Sequence, residues 1–153
     1  MANTYTQIYF QVVFAVQNRD CIINNSWEDE LQKYITGIIQ NQGHKMLAIN
    51  GTYNHIHLFL GMKPNHSVSK LIQEVKSNSS KWINEKRFIK SKFSWQEGFG
   101  AFSYSHSQLD DVIAYVMNQK EHHKKQSFRD EYLLFLKTFN VEFEEKYLFN
   151  FFD

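Results

Sequence analysis

An α+β fold, with an antiparallel sheet carrying helices on one face, is what three features of this 153-residue sequence predict. The chain opens on a run of strictly alternating side chains, several later segments repeat apolar residues at helical spacing, and two extended segments meet at Asn50-Gly51, a turn-favouring pair. Hairpin-joined strands mixed with helices belong to an antiparallel layer rather than to a doubly wound parallel sheet.

From Thr4 to Val16 the side chains Thr6, Ile8, Phe10, Val12, Phe14 and Val16 fall on one face, and Tyr5, Gln7, Tyr9, Gln11 and Val13 on the other. That is a long, half-buried strand. Ser26 is placed to cap a helix bearing Leu31, Tyr34, Ile35, Ile38 and Ile39, with Gly43 placed to end it. Two strands follow, about 46–50 and 52–62, and Pro64-Asn65 breaks the chain. Asn65 or Ser67 caps a second helix with Val68, Leu71, Ile72, Val75, Ser79, Trp82 and Ile83 facing inward. Residues 93–105 read as irregular strand and turn, 108–122 as a third helix and 128–139 as a fourth, before an aromatic tail. This order fits a ferredoxin-like layer. Ile56, Leu58 and Leu60 are needed by the core, so His55 and His57 belong on the sheet's more open face.

Composition sets bounds on function. Hydrophobic residues at 42% and charged residues at 22%, with six Gly and one Pro, suit a single globular domain over residues 1–153. No apolar run is long enough to span a bilayer, and no N-terminal stretch has the pattern of a signal peptide, so a cytoplasmic protein without membrane partners is expected. Cys21, the one cysteine, excludes an internal disulfide and has no neighbour that would activate it. The net charge of +1 does not announce a nucleic-acid binder, but its distribution is uneven. Lys81, Lys86, Arg87, Lys90 and Lys92 stand against Glu85 alone, interleaved with Trp82, Phe88 and Phe93.

The chemistry concentrates at Tyr53-Asn54-His55-Ile56-His57-Leu58 and on the third helix. Two imidazoles at i and i+2 on a strand can converge on one ion, although an isolated His-x-His is more often an ordinary hydrogen-bonded pair. The third helix changes that balance. Tyr115 lies outside the apolar arc of Leu109, Val112, Ile113, Val116 and Met117, and Gln119 follows one turn later on the same flank. The carbonyl oxygen of Gln119 can complete a ligand set with His55 and His57 and leave positions for phosphate oxygens. A phenol beside a divalent cation suggests nucleophilic attack by Tyr115 on phosphorus. His122 and His123 read as surface or packing residues, and His44, His66 and His106 carry no functional expectation.

In this pattern the chain resembles the HUH single-tyrosine transposases of small bacterial insertion sequences. His55-Ile56-His57 fits the family's histidine signature, and Tyr115-Val116-Met117-Asn118-Gln119 fits its tyrosine helix, whose glutamine is a metal ligand. Lys76 with Ser79-Ser80-Lys81-Trp82, the segment from Trp95 to Ser103, His122-His123-Lys124-Lys125, Phe128 and Glu131-Tyr132 are similar to further landmarks. The resemblance implies a DNA transposase that cuts and rejoins single-stranded DNA at element ends. It further implies a 5′-phosphotyrosine intermediate with a free 3′-hydroxyl, Mg or Mn as the divalent metal, hairpin-bearing single-stranded DNA as partner, and a homodimer. Whether the tyrosine helix docks in cis or in trans stays open. Lys76, Lys81 and Arg87 are the expected DNA contacts. A domesticated hairpin-binding descendant is the alternative. A replication-initiator or transfer nickase ranks lower, because Asn118 stands where those enzymes often carry lysine.

Overall fold

The computed structural model describes residues 3–152. Four strands form one antiparallel sheet in the order β2-β3-β1-β4, from β1 (Tyr9–Ala15), β2 (Lys45–Gly51), β3 (His55–Gly61) and β4 (Gly100–Tyr104). Helix α1 (Asn25–Asn41) connects β1 to β2, and α2 (Val68–Lys86) connects β3 to β4. This βαββαβ order is the ferredoxin-like α+β layer expected. After β4 come α3 (Leu109–Met117), α4 (Gln119–His122) and α5 (Phe128–Thr138). No helix among the described residues is long and apolar enough to cross a membrane.

Pairing register assigns the faces. Gln11 pairs with Phe59 and with Phe102, and Val13 pairs with His57, so Gln11, Val13, His55, His57, Phe59 and Phe102 share one face. The opposite face presents Val12, Phe14, Ile56, Leu58 and Leu60, fully buried against Leu31, Ile35 and Ile39 of α1 and Leu71, Ile72 and Val75 of α2. Each such side chain contributes roughly 1.5–3 kcal/mol on burial, so this layer dominates the fold's stability. Tyr34 and Trp82 stack at 4.5 Å where α1 and α2 meet.

The histidine face carries helices as well. Val112 and Val116 of α3 pack with Ala48 and Phe59 in a second, smaller core, and Phe135 of α5 stacks on Phe102 at 5.0 Å. His55 and His57 therefore lie under a roof of α3, α4 and α5 and are completely buried, not exposed on open sheet.

Four local expectations shift. β1 is shorter than 4–16 because β3 ends opposite Tyr9, leaving the preceding residues without a strand partner. Asn24, not Ser26, caps α1, its side-chain oxygen accepting from the Ser26 N–H. Asn50 and Gly51 lie inside β2, and the connection is 52–54 instead. A Cβ at Gly51 would stand 2.2 Å from the His55 carbonyl oxygen, so glycine is needed for close backbone approach, not for a turn. The third helix breaks at Asn118, where φ −99° and ψ 16° leave the α region, separating α3 from α4. Ser67 caps α2 by accepting from the Lys70 N–H, as expected.

Candidate active site

Strand β3 carries His55 and His57 side by side, their rings 5.1 Å apart, each held by a partner on its outer nitrogen. His55 Nδ1 lies 2.7 Å from Asn54 Oδ1, which also accepts from the Thr52 hydroxyl at 2.9 Å. His57 Nδ1 lies 2.7 Å from Gln11 Oε1, while the Gln11 amide donates to the Tyr104 hydroxyl at 3.0 Å. With oxygen acceptors at both Nδ1 atoms, the protons sit there, and the Nε2 lone pairs point beneath the helical roof.

Tyr115 arrives from α3. Its hydroxyl donates to Glu131 Oε2 and lies 3.3 Å from His122 Nε2, with its ring 6.1 Å from that of His57. Burial, reinforced by the Glu131 carboxylate, pushes the phenol far above its ordinary range, so Tyr115 is held as the neutral phenol. Gln119, fully buried at the start of α4, donates to Glu131 Oε2 at 3.2 Å and sets its Oε1 3.1 Å from His123 Nε2. Tyr115, His55, His57 and Gln119 thus meet in one pocket around Glu131.

Two further residues of the pocket, Glu131 and His123, were marked in the sequence only as family landmarks and given no role in the site. Glu131, only 2% exposed, puts Oε1 3.4 Å from His55 Nε2, 3.1 Å from His57 Nε2 and 3.0 Å from His123 Nε2. His123, expected as a surface or packing residue, instead points into the pocket, its Nδ1 2.8 Å from the Gln126 carbonyl oxygen. A signal for Glu131 existed. It is an acidic residue on the buried stripe of α5, between Phe128 and Tyr132 and Leu136. For His123 no periodicity pointed inward, because its direction is set by the turn between α4 and α5.

The electrostatics suit a cation. Burial pushes the Glu131 carboxyl upward, but the surrounding imidazoles of His57, His123 and His55 more than offset this and hold it well below the usual carboxylate range. His55 is lowered to about 4, chiefly by burial, and so is neutral at physiological pH. Its Nε2 is buried without a hydrogen-bond partner, an unusual state for an imidazole nitrogen and one that a metal ion would relieve. One ligand atom from each of His55, His57, His123 and Glu131 lies within 4.8 Å of every other. These donors fit a divalent metal.

The expected DNA contacts separate. Lys76 has its ammonium committed to the carbonyl oxygens of Gln96, at 2.8 Å, and Gly98, and it lies 5.7 Å from the centre of the Phe14 ring. Burial lowers it to about 8. Its visible work is to tie α2 to the loop before β4. Lys81 is exposed and lines a shallow groove of about 670 Å³ with Lys92, Trp95 and Phe99. Arg87 ends α2 in the left-handed region at φ 56° and lines a neighbouring hollow with Phe88 and Lys90.

Comparison with known proteins gives concordant results. The sequence profile described as "Transposase IS200 like" matches residues 4–119, more than half of the chain. Among solved structures, a candidate transposase from Deinococcus radiodurans R1 superposes with a TM-score of 0.63 at 17% identity, covering 78% of this chain and 95% of that one. A REP-associated tyrosine transposase bound to a REP hairpin gives a TM-score of 0.60 at 13% identity, covering 80% of this chain and 73% of the other. No curated protein matches the chain at a significant level.

Proposed function

The chain belongs to the family of IS200-like transposases, and we propose that it cuts and rejoins single-stranded DNA at hairpin-bearing ends through attack by Tyr115 on a phosphodiester. The observation that carries this reading is the meeting of the Tyr115 hydroxyl with His55, His57 and Gln119 around one buried carboxylate. A phenol in that position is a nucleophile placed beside a metal site, not a packing residue.

His55 and His57, with Gln119 beside them, would hold a divalent ion such as Mg or Mn, which polarises the scissile phosphate and offsets charge as the transition state forms. The protein's own part is placement. Gln11 and Asn54 fix the two imidazoles, and the roof of α3 and α5 buries them. Tyr115 passes its phenol proton to Glu131 Oε2 as Oη attacks phosphorus, the P–O3′ bond breaks, the leaving O3′ takes up a proton, and the product is a 5′-phosphotyrosine with a free 3′-hydroxyl. That hydroxyl can attack in the reverse sense, so rejoining needs no external energy source. The hairpin in the REP-associated neighbour supports a structured single strand as substrate. The functional unit is proposed to be a homodimer.

Purified protein, incubated with single-stranded DNA from its own genomic flanks plus Mg or Mn, should give a covalent protein–DNA adduct on a denaturing gel. Tyr115→Phe should abolish the adduct while leaving folding and hairpin binding nearly unchanged. Loss of hairpin binding to the same extent would make Tyr115 a structural residue and overturn the reading.

A further inference from the structure

Three imidazoles, not two, present the same hand to this pocket. His55, His57 and His123 each turn Nδ1 toward an oxygen: Asn54 Oδ1 at 2.7 Å, Gln11 Oε1 at 2.7 Å and the Gln126 carbonyl at 2.8 Å. The last is a backbone carbonyl and can only accept, so His123 carries its proton on Nδ1. An imidazole anchored in this way offers a lone pair at Nε2, the arrangement typical of metal-ligating histidines. All three Nε2 atoms lie 3.0–3.4 Å from one atom, Glu131 Oε1.

Acceptor nitrogens converging on a carboxylate oxygen repel it unless positive charge lies among them. Their burial removes the solvent that would otherwise screen that repulsion, since His55 and His57 are fully buried and Glu131 is 2% exposed. The three Oε1-to-Nε2 spacings are those of a coordination shell, and all four ligand atoms lie within 4.8 Å of one another. Arms of about 2.0–2.1 Å to nitrogen or oxygen in a tetrahedral site set the ligand atoms about 3.3–3.4 Å apart.

We propose that His123 and Glu131 complete the metal site, giving a three-histidine, one-carboxylate set with His55 and His57 that selects a transition ion such as Mn, Co or Zn over Mg. Magnesium demands oxygen ligands and retains its waters, whereas three imidazoles favour the softer first-row ions. Glu131 then joins two functions. Its Oε1 faces the histidines, while its Oε2 accepts from the Tyr115 hydroxyl and from the Gln119 amide. The carboxylate that holds the ion is thus a positioning residue for the nucleophile. This inference rests on the reading of the pocket as a metal site, but it names ligands beyond His55, His57 and Gln119.

The test is metal binding by the full chain without DNA, after stripping with chelator. Calorimetric titration should give one tight site for Mn or Zn and at least a hundredfold weaker binding of Mg. Glu131→Gln and His123→Ala should each weaken Mn binding at least tenfold, with circular dichroism confirming the fold. X-ray absorption of the zinc-loaded wild-type chain should count three imidazoles, and this arm needs no variant to fold. Two imidazoles, or unchanged affinity in folded Glu131→Gln and His123→Ala chains, would overturn the proposal and leave the transposase reading intact. No binding of Mn, Co or Zn would overturn it as well, leaving a cluster balanced by protons alone. The adduct assay would then judge the transposase reading separately.

Discussion

Gln11 touches neither the nucleophile nor a phosphate, yet the chemistry available at His57 depends on it. Its carbonyl oxygen fixes the Nδ1 proton of His57, and its amide is fixed in turn by Tyr104, whose hydroxyl burial raises to about 12 and so keeps protonated. Gln11→Leu should leave the side-chain volume nearly unchanged but free the tautomer and ring angle of His57. Metal affinity should fall roughly 10–100-fold, the usual effect of losing an outer-shell partner, while the melting temperature changes little. Isothermal titration with Mn measures the first and a thermal scan the second; unchanged affinity would mean that packing alone orients His57. At this scale the sequence was informative where pattern is local. His55 and His57 follow from strand alternation, and Tyr115 stands out by lying off the apolar arc of its helix. Glu131 makes its contact to His57 across 74 positions, and no local rule points from one to the other.

Elements place these residues through their ends and breaks more than through their regular stretches. The break at Asn118 is held from the sheet, where the Asn50 side-chain amide donates to the Met117 carbonyl at 2.9 Å and the Lys120 ammonium donates to Asn50 Oδ1 at 3.2 Å. Asn50 thus satisfies a carbonyl at the end of α3 while α4 turns Gln119 inward. Periodicity extends smoothly through 108–122 and hides this break, because its cause is a polar side chain on another strand. The same lies behind the β2–β3 connection. Asn50-Gly51 looks like a hairpin turn, but its glycine serves the close passage of the His55 backbone. Gly51→Ala should therefore destabilise the chain by about 2–4 kcal/mol, since the added methyl meets backbone that cannot rotate away. Urea unfolding measures this, and a cost below ~1 kcal/mol would mean that the strand end shifts freely. Because the clash falls on His55 itself, adduct formation should decline even where the variant remains folded.

Across the whole molecule, the pocket's roof is tied to the C-terminal tail. Phe128 stacks on His55 at 3.8 Å with the rings 2° from parallel, and behind it Phe149 and Phe151 pack on Phe128 and Tyr132. The tail is pinned by a reciprocal pair, the Gln96 amide donating to the Asn150 carbonyl at 2.9 Å and the Asn150 N–H donating to Gln96 Oε1 at 2.7 Å. Gln96 in turn donates to the Val16 carbonyl at 3.0 Å, so tail, loop and first strand form one connected support for α5. Neither that link nor the packing of the aromatic tail was legible in the sequence, where Phe149 and Phe151 are only aromatic residues after the last helix. Phe149→Ala should remove about 3 kcal/mol of stability, as buried phenylalanine truncations do. Phe143→Ala, at a position 49% exposed on the same stretch, should cost less than ~0.5 kcal/mol. If the tail supports the pocket, Phe149→Ala should also weaken Mn binding while the chain is still folded, because Phe128 and the α5 turn carrying Glu131 lose their backing. Stability loss with full metal affinity would confine the tail to holding the fold together, and Phe143→Ala separates either result from a general effect of shortening an aromatic side chain.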